Sequence, residues 1–591
     1  MENMGNIKFM ALGGQDERGK NLYVLEIDDE LFVLDAGLKF PDKGILGVDM
    51  VIPNFDYLKD NRQRVKAIFL TNASAYNSGA TNYLLKDLDV PVYCNPITAQ
   101  VLKIKAQRAR MRNRDSNYHV VHDKEIINFT STKVEVFRLT ASSPQTLGFA
   151  FSTKQGAVIY LGDYIIDGQE QSSFSTDFAN LAKISERGVL ALISDTASAS
   201  RRGFTAPNHK IESYIATPFK EKHKRIIIGI FEEDLFKVGE IIRAAQENNR
   251  KIAVYGRTMS SLLDSNLLAD FNVRKEDLMS PEEYKTSENG VLIISGNAEV
   301  LYSKLNKIAN NNDEVVDFTE NDLVILATPP APGVEKRHAQ ILDELARTEA
   351  RIMALSDRNI WAMNSSYEDL KVMVSIFKPK YFIPIKALYK DFLEAESAAL
   401  SAGVKPGNVG IIDNGQVLNL AGRQLAVTDR TIKNGDTYVD GLGIGDIGNV
   451  VLNERKQLAS DGVIIVGVSI DSRSKALVSS IDIQMRGVIY IKEENTIFKT
   501  LQKQIADIMT KGQSDYRTNP SSYDLNEIKK EIITKVRSVI KQESGKQPMV
   551  LAIANEINEK DFTPFVRPSK NLKTGGNRYW LNKTTNSKPK K

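Results

Sequence analysis

RIIIGIFEEDLFKVGEIIRAAQEN, residues 225–248, sets an unbroken aliphatic run before an amphipathic one, and the two read as a strand followed by a helix. The rhythm repeats in KIAVYG (251–256) with SSLLDSNLLADF (260–271), and in GVLIISG (290–296) with VLYSKLNKIANN (300–311). Strands joined through helices pair in parallel, so this stretch predicts a domain of βαβ units. Its surroundings differ. IKFMALGG, NLYVLEID, ELFVLDAG, KAIFLT, VPVYCN, KVEVFRLT, FAFST and AVIYLGD precede it, apolar runs alternating with Gly- and Asp-bearing turns. These predict a β-rich sandwich with helices outside. ARIMALS (350–356), YEDLKVMVSIFKPKYFIPI (367–385) and NVGIIDNGQVLNL (408–420) read as a return to that pattern, which makes the βαβ domain an insertion.

A further unit starts after 430 with TYVDGLGIGDIGNVVLNERKQLASDGVIIVGVSI (437–470). A strand at RGVIYIK (486–492) follows, then helices from TIFKTLQKQIADIMTK (496–511) to LNEIKKEIITKVRSVIKQ (525–542), with GQSDYRTNPSSYD (512–524) read as a loop.

With 591 residues the chain exceeds one hydrophobic core, implying about three to four compact units. Hydrophobic residues make up 42% and charged ones 26%, as in a globular protein, and no apolar run approaches the roughly 20 residues of a membrane span. MENMGNIKFMALGG lacks a basic n-region and a signal-length apolar core, and the single Cys94 excludes an internal disulfide. A soluble protein of the cytoplasm, without a membrane partner, is expected.

A net charge of +4 does not make a polycation, so any nucleic-acid surface must come from local clusters. In KIKAQRARMRNR (103–114) helical spacing puts Lys103, Arg110 and Arg114 on one face and Lys105, Arg108 and Arg112 on another, as an RNA contact or a solvated helix. Residues 562–591 carry eight basic and no acidic residues with Phe562, Phe565, Tyr579 and Trp580 interleaved. That composition predicts a disordered tail, in which Arg578 and Trp580 suit phosphate and base stacking if the tail does more than solubilise.

LGG with KNLYVLEID, ELFVLDAGLKFP, LGVDMVIPNFDYL, AVIYLGDY, LALISDTASA, RKIAVYGRTM, FKPKYFIPI and DGLGIGDIGNVVL together resemble the ribonuclease J family, over residues 5 to 555. The resemblance implies an α/β chain: a metallo-β-lactamase αββα sandwich with an inserted β-CASP α/β domain and a C-terminal α/β domain. The expected boundaries are 1–210 and 346–430 for the sandwich, 211–345 for the insertion, 431–560 for the C-terminal domain and 561–591 for the basic tail.

Family members carry H-x-H-x-D-H after the IFLT-type strand, holding two Zn or Mn ions that activate water and polarise the phosphodiester. The matching positions here are Asn72, Ser74, Tyr76 and Asn77, none a good ligand for such a metal. The histidine of a THS-type motif corresponds to Ala141, those of an HVSGH-type motif to Ile360 and Asn364, and that of a PVHGEY-type motif to Lys386, whose ammonium would repel a cation. The bridging aspartate survives as Asp163. Asp35 and Asp195 also stand at family positions, as hydrogen-bonding supports or as remnants of a weak magnesium site. All five histidines, His119, His122, His209, His223 and His338, lie outside these motifs; the first two read as structural or surface, the rest as surface.

FEEDLFKV places Glu232, Glu233 and Asp234 where the family has an ASN-x-HR-type segment, and SGNAEVLY from Ser295 replaces a TGSQGEP-type motif, so carboxylates border the expected phosphate path. The resemblance therefore implies no catalytic residue and no metal cofactor, with Ile360, Trp361, Ala362, Met363 and Asn364 as further candidate RNA contacts. The expected function is RNA processing or decay as a catalytically inactive chain, assembled with an active ribonuclease J or with itself, RNA being a possible partner. A residual metal-dependent ribonuclease and an RNA- or ribosome-binding protein using its basic tail are the alternatives.

Overall fold

A computed structural model describes residues 5–41, 47–111, 115–169, 173–222, 224–330, 334–421, 424–441, 443–445, 448–488 and 496–558. Arg114, His223, Arg578, Trp580, the expected tail and most of the strand read at RGVIYIK lie outside them. The chain forms two compact units, 1–448 and 449–591.

In the first unit an eight-stranded sheet runs Ala426–Thr431, Gln416–Asn419, Ile7–Gly13, Leu22–Ile27, Glu30–Leu34, Val65–Phe69, Val92–Cys94, Tyr118–Val120. It faces a six-stranded sheet ordered Tyr381–Ile385, Val189–Asp195, Gly156–Leu161, Thr146–Thr153, Lys133–Leu139, Ile126–Asn128. Phe9, Tyr23, Phe32 and Phe69 from one meet Phe149, Phe151 and Tyr160 from the other in a shared core. Both outer faces are covered as well: Met10, Val24 and Val33 pack with Leu84 and Leu102, and Phe137, Ile159 and Leu192 with Leu370, Phe377 and Ala395 of flanking helices. Strands covered on both faces are mostly apolar: Leu22–Ile27 is buried at every position, and its one charged residue, Glu26, pairs with Lys8 and Arg64. The result is an αββα sandwich.

The insertion is a five-stranded sheet, Ile252–Tyr255, Val291–Gly296, Arg225–Phe231, Asp322–Leu326, Arg351–Ala354, parallel at every pairing. The aliphatic residues of its central strands are buried between helices on both sides. Two readings of the sequence need correction. ARIMALS joins this sheet, through the register Leu323–Arg351 to Leu326–Ala354, and does not return to the sandwich. Asp436–Asp440 pairs antiparallel with Met50–Pro53, so the segment up to Gly448 packs with the first unit instead of opening the C-terminal one.

The second unit has a central strand, Val463–Asp471, between antiparallel Asp482–Arg486 and parallel Met549–Ile557. Helices Thr496–Thr518 and Leu525–Ser544 contribute Ile505, Met509, Ile532 and Val536 to its core. The first helix runs through most of the stretch expected to be a loop. Gly512 misleads there: a Cβ at that position would stand 2.7 Å from Ile528 Cδ1, so the glycine marks a close helix contact and not a chain break.

Candidate functional site

Strands of both sheets bring their C-terminal ends to one edge, where the following loops supply Asp35, Asn72, Asp163, Asp195 and Lys386. Backbone geometry aims two of them: Asp35 and Lys386 take left-handed φ values of 58° and 67°. A non-glycine residue seldom occupies that region unless its surroundings hold it there. Here both side chains are buried in ionic and hydrogen-bonded contacts.

Asp163 is the centre. Its Oδ2 accepts from Asn72 Nδ2 at 2.9 Å and Asn77 Nδ2 at 2.8 Å, while Oδ1 accepts from Asn364 Nδ2 at 3.0 Å and from the Lys386 ammonium. Four donors on one carboxylate fill its acceptor sites. Further hydrogen bonds hold the amides in place: Asn77 donates to Asn72 Oδ1 at 3.0 Å, and Asn21 donates to Asn77 Oδ1 at 2.8 Å. Asp195 accepts from Ala197 N at 3.1 Å and from Asn364 Nδ2 and Ser365 N at 3.3 Å. Asp35 accepts from Thr71 N at 2.8 Å and the Tyr160 hydroxyl at 2.7 Å.

Electrostatics follow from burial around one cation. Burial works to raise the Asp163 carboxyl, but the Lys386 ammonium and the amide donors outweigh it and hold it below the usual range. Burial raises Asp35 and Asp195 to about 6, opposed by Lys386. Burial works against the Lys386 charge, yet Asp163, Asp195 and Asp35 together keep it above the ordinary lysine value. For Asp35 the folded value exceeds the unfolded one of 3.8, so the folded state binds the extra proton and stability falls as pH rises between them. From pH 4 to 6.5 Asp35 is expected to lower the unfolding free energy by on the order of 3 kcal/mol, with Asp195 acting in the same direction. Urea titrations across this range check it: an Asp35→Asn variant should show a shallower fall, and an unchanged slope would remove Asp35 as the cause.

The arrangement does not suit a metal centre. The amide groups at positions 72, 77 and 364 turn N–H donors toward Asp163, and an ammonium already occupies its charge-neutralising place. Ser74 caps a short helix by accepting from Tyr76 N, Tyr76 packs edge-on to Phe40, and Ala141 is wholly buried. Among the described residues no group of three or more His, Cys, Asp or Glu side chains is placed to hold a metal ion.

Several candidates have moved. Ile360 is 0% and Met363 4% exposed, both in apolar clusters, so they present little side-chain surface, whereas Trp361 and Ala362 reach the surface. The helix Pro96–Arg108 stops before Arg110, whose φ of 51° ends the face it was to share with Lys103. Lys103 lies 3.7 Å from Asp115, Lys105 lies 3.7 Å from Glu232, and Arg108 donates to Thr258 Oγ1 at 2.9 Å. Much of this basic helix therefore serves contacts within the chain. His209 and His338, read as surface, are buried: His209 packs on Phe236, with burial pushing it down to about 4, and His338 meets the Tyr302 hydroxyl at 3.0 Å. Asn21 was missed, since its part depends on where the chain folds back beside Asn77.

Beside Asp163 opens a cleft of about 860 Å³, lined by sandwich loops on one side and by Phe231, Glu233, Asn297 and Pro329 of the insertion on the other. A sandwich of this kind, interrupted by a parallel α/β domain that walls its strand-end cleft, defines the metallo-β-lactamase fold with a β-CASP insertion. The model of the Ribonuclease J beta-CASP domain matches residues 223–345, and that of the Ribonuclease J C-terminal domain matches 450–557. Ribonuclease J2 of Bacillus subtilis is 33% identical over 559 residues, covering 94% of this chain and 100% of that protein. Ribonuclease J 2 of Staphylococcus saprophyticus is 30% identical over 557 residues and that of Staphylococcus aureus 30% over 556, each covering 93% of this chain and 98% of the relative. The chain belongs to the ribonuclease J family.

Proposed function

We propose that this chain serves RNA processing and decay without cutting RNA, as a binding or assembly partner of an active ribonuclease J or of its own copies. The observation that carries the reading is the saturation of Asp163 by Asn72, Asn77, Asn364 and Lys386. Where metal-dependent hydrolysis needs a cation to activate water, the chain has a lysine ammonium that supplies charge but has no open coordination position. Accepting a metal there would mean expelling that ammonium and reversing three amide groups, each at the loss of a charge-assisted hydrogen bond.

The test is metal analysis of the purified chain with a decay assay on 5′-monophosphorylated RNA in Mn²⁺ and in Mg²⁺. The expected outcome is less than stoichiometric metal and no decay beyond that of an Asp163→Ala control. Metal at about two per chain, with decay abolished in that control, would replace this reading by a working nuclease. Co-purification with an active ribonuclease J, absent after deletion of residues 449–591, would locate the assembly function in the second unit.

A further inference from the structure

We propose that the cleft beside Lys386 binds a small linear polyamine, recognised through its ammonium groups. The cations lining it are Arg18, Lys20, Lys39, Lys237 and Lys386, and every one already has a carboxylate. Lys386 pairs with Asp163 and Lys237 with Asp234; Lys20 and Lys39 both lie between Glu17 and Asp436; Arg18 is 3.6 Å from Asp391. Three lining carboxylates, Asp16, Glu233 and Asp413, have no cationic side chain within ion-pair distance among the described residues, while Asp195 shares Lys386 with Asp163 and Asp35. Neutral donors serve two of them: Tyr389 N for Asp16 and Ala75 N for Glu233.

A second observation points the same way. Gln15 and Asn21 also line the cleft at 3% and 1% exposure, and Gln15 Oε1 and Asn21 Oδ1 have no hydrogen-bond donor. The wall is thus short of donors and of positive charge, and has acceptors to spare. Phosphate would add like charge to it, whereas an alkylammonium supplies both missing features. Phe231, Pro329, Pro330 and Met363 offer apolar surface to the methylene segments between ammonium groups. Glu233 is half-buried while Asp16 and Asp413 are exposed, so one elongated ligand would be held at the wall and at the mouth. Burial holds the Glu233 carboxyl up at about 7, outweighing the opposing pull of the Lys105 ammonium. The inference goes beyond the non-catalytic reading and does not need it, because the unpaired carboxylates are present whether or not RNA is cut.

Calorimetric titration of the full, chelator-treated chain with spermidine tests it. One saturable site is expected, weakened by added salt and roughly tenfold weaker in Glu233→Gln and in Asp413→Asn. Glu233→Gln keeps an acceptor for Ala75 N, and Asp413→Asn changes an exposed residue, so loss of fold in one leaves the other informative. No saturation at millimolar spermidine, or wild-type affinity in both variants, overturns the proposal. Displacement of spermidine by tetralysine at lower concentration would assign the ammonium groups to a protein segment and overturn the small-ligand assignment. Metal content and RNA decay are measured on separate samples, so failure here is distinguishable from failure of the non-catalytic reading.

Discussion

Lys386→Met is expected to lower the unfolding free energy by about 3–5 kcal/mol, the cost of stripping a buried ion pair of one partner. The lysine is 6% exposed and faces Asp163, Asp195 and Asp35 together, so its removal leaves three carboxylates with no cation among them. Asp163→Asn should cost less, since two carboxylates remain to balance the ammonium and an amide oxygen can still accept. The double variant Lys386→Met/Asp163→Asn should regain part of the loss, because fewer uncompensated charges stay buried. Urea unfolding followed by far-ultraviolet circular dichroism reads all three. A loss below about 1 kcal/mol in Lys386→Met, typical of an exposed pair, would mean that the lysine is not the counter-ion of this site.

Gly37→Ala is expected to cost about 3 kcal/mol or more by a different route, overpacking of backbone against backbone. A Cβ at this position would stand 1.6 Å from the Tyr76 carbonyl oxygen and 2.9 Å from Asn21 N. Neither neighbour is free to retreat: Gly37 N donates to Asn21 O, Asn21 N to Tyr76 O, Ala36 N to Asn77 O and Leu38 N to Ala75 O. The loop bearing Asn72 and Asn77 is thus laced to its neighbours by main chain, independent of any side-chain ligand. Melting temperature and faster amide exchange at Ala36 and Leu38 are the readouts, and wild-type exchange at both would contradict the argument.

The insertion was legible because Arg225–Phe231 and the strands beside it carry runs of buried aliphatic residues, such as Ile226 to Ile228, while their helices keep a one-sided period. Ala426–Thr431 and Asp436–Asp440 carry too little apolar signal to announce themselves; their pairing comes from Gln416–Asn419 and Met50–Pro53, distant or differently patterned segments. The stretch 512–524 read as a loop from its polar, Gly- and Pro-bearing composition, whereas its first part is helical and packs Gly512 against Ile528, a contact made only in the folded chain. At the site, the ligand-poor composition of positions 72 to 77 and the misfit of a lysine at 386 could be read from residue type. Their convergence on Asp163 could not, since it joins side chains from four separate loops. His209 shows the limit from the other side: its polar sequence neighbours conceal a contact with Phe236 made only in the folded chain.

The four-donor setting of Asp163 also bears on how this chain can change over generations. A histidine introduced alone at 72 or 77 removes an amide donor and meets an ammonium that still excludes metal; a histidine introduced alone at 386 leaves a cluster of acids without their cation. Each first step lowers stability and gains no activity for selection to favour. On the proposed non-catalytic reading the site acts as a ratchet: routes toward a metal centre cross a valley in fitness, whereas substitutions that vary the cleft around the network remain open.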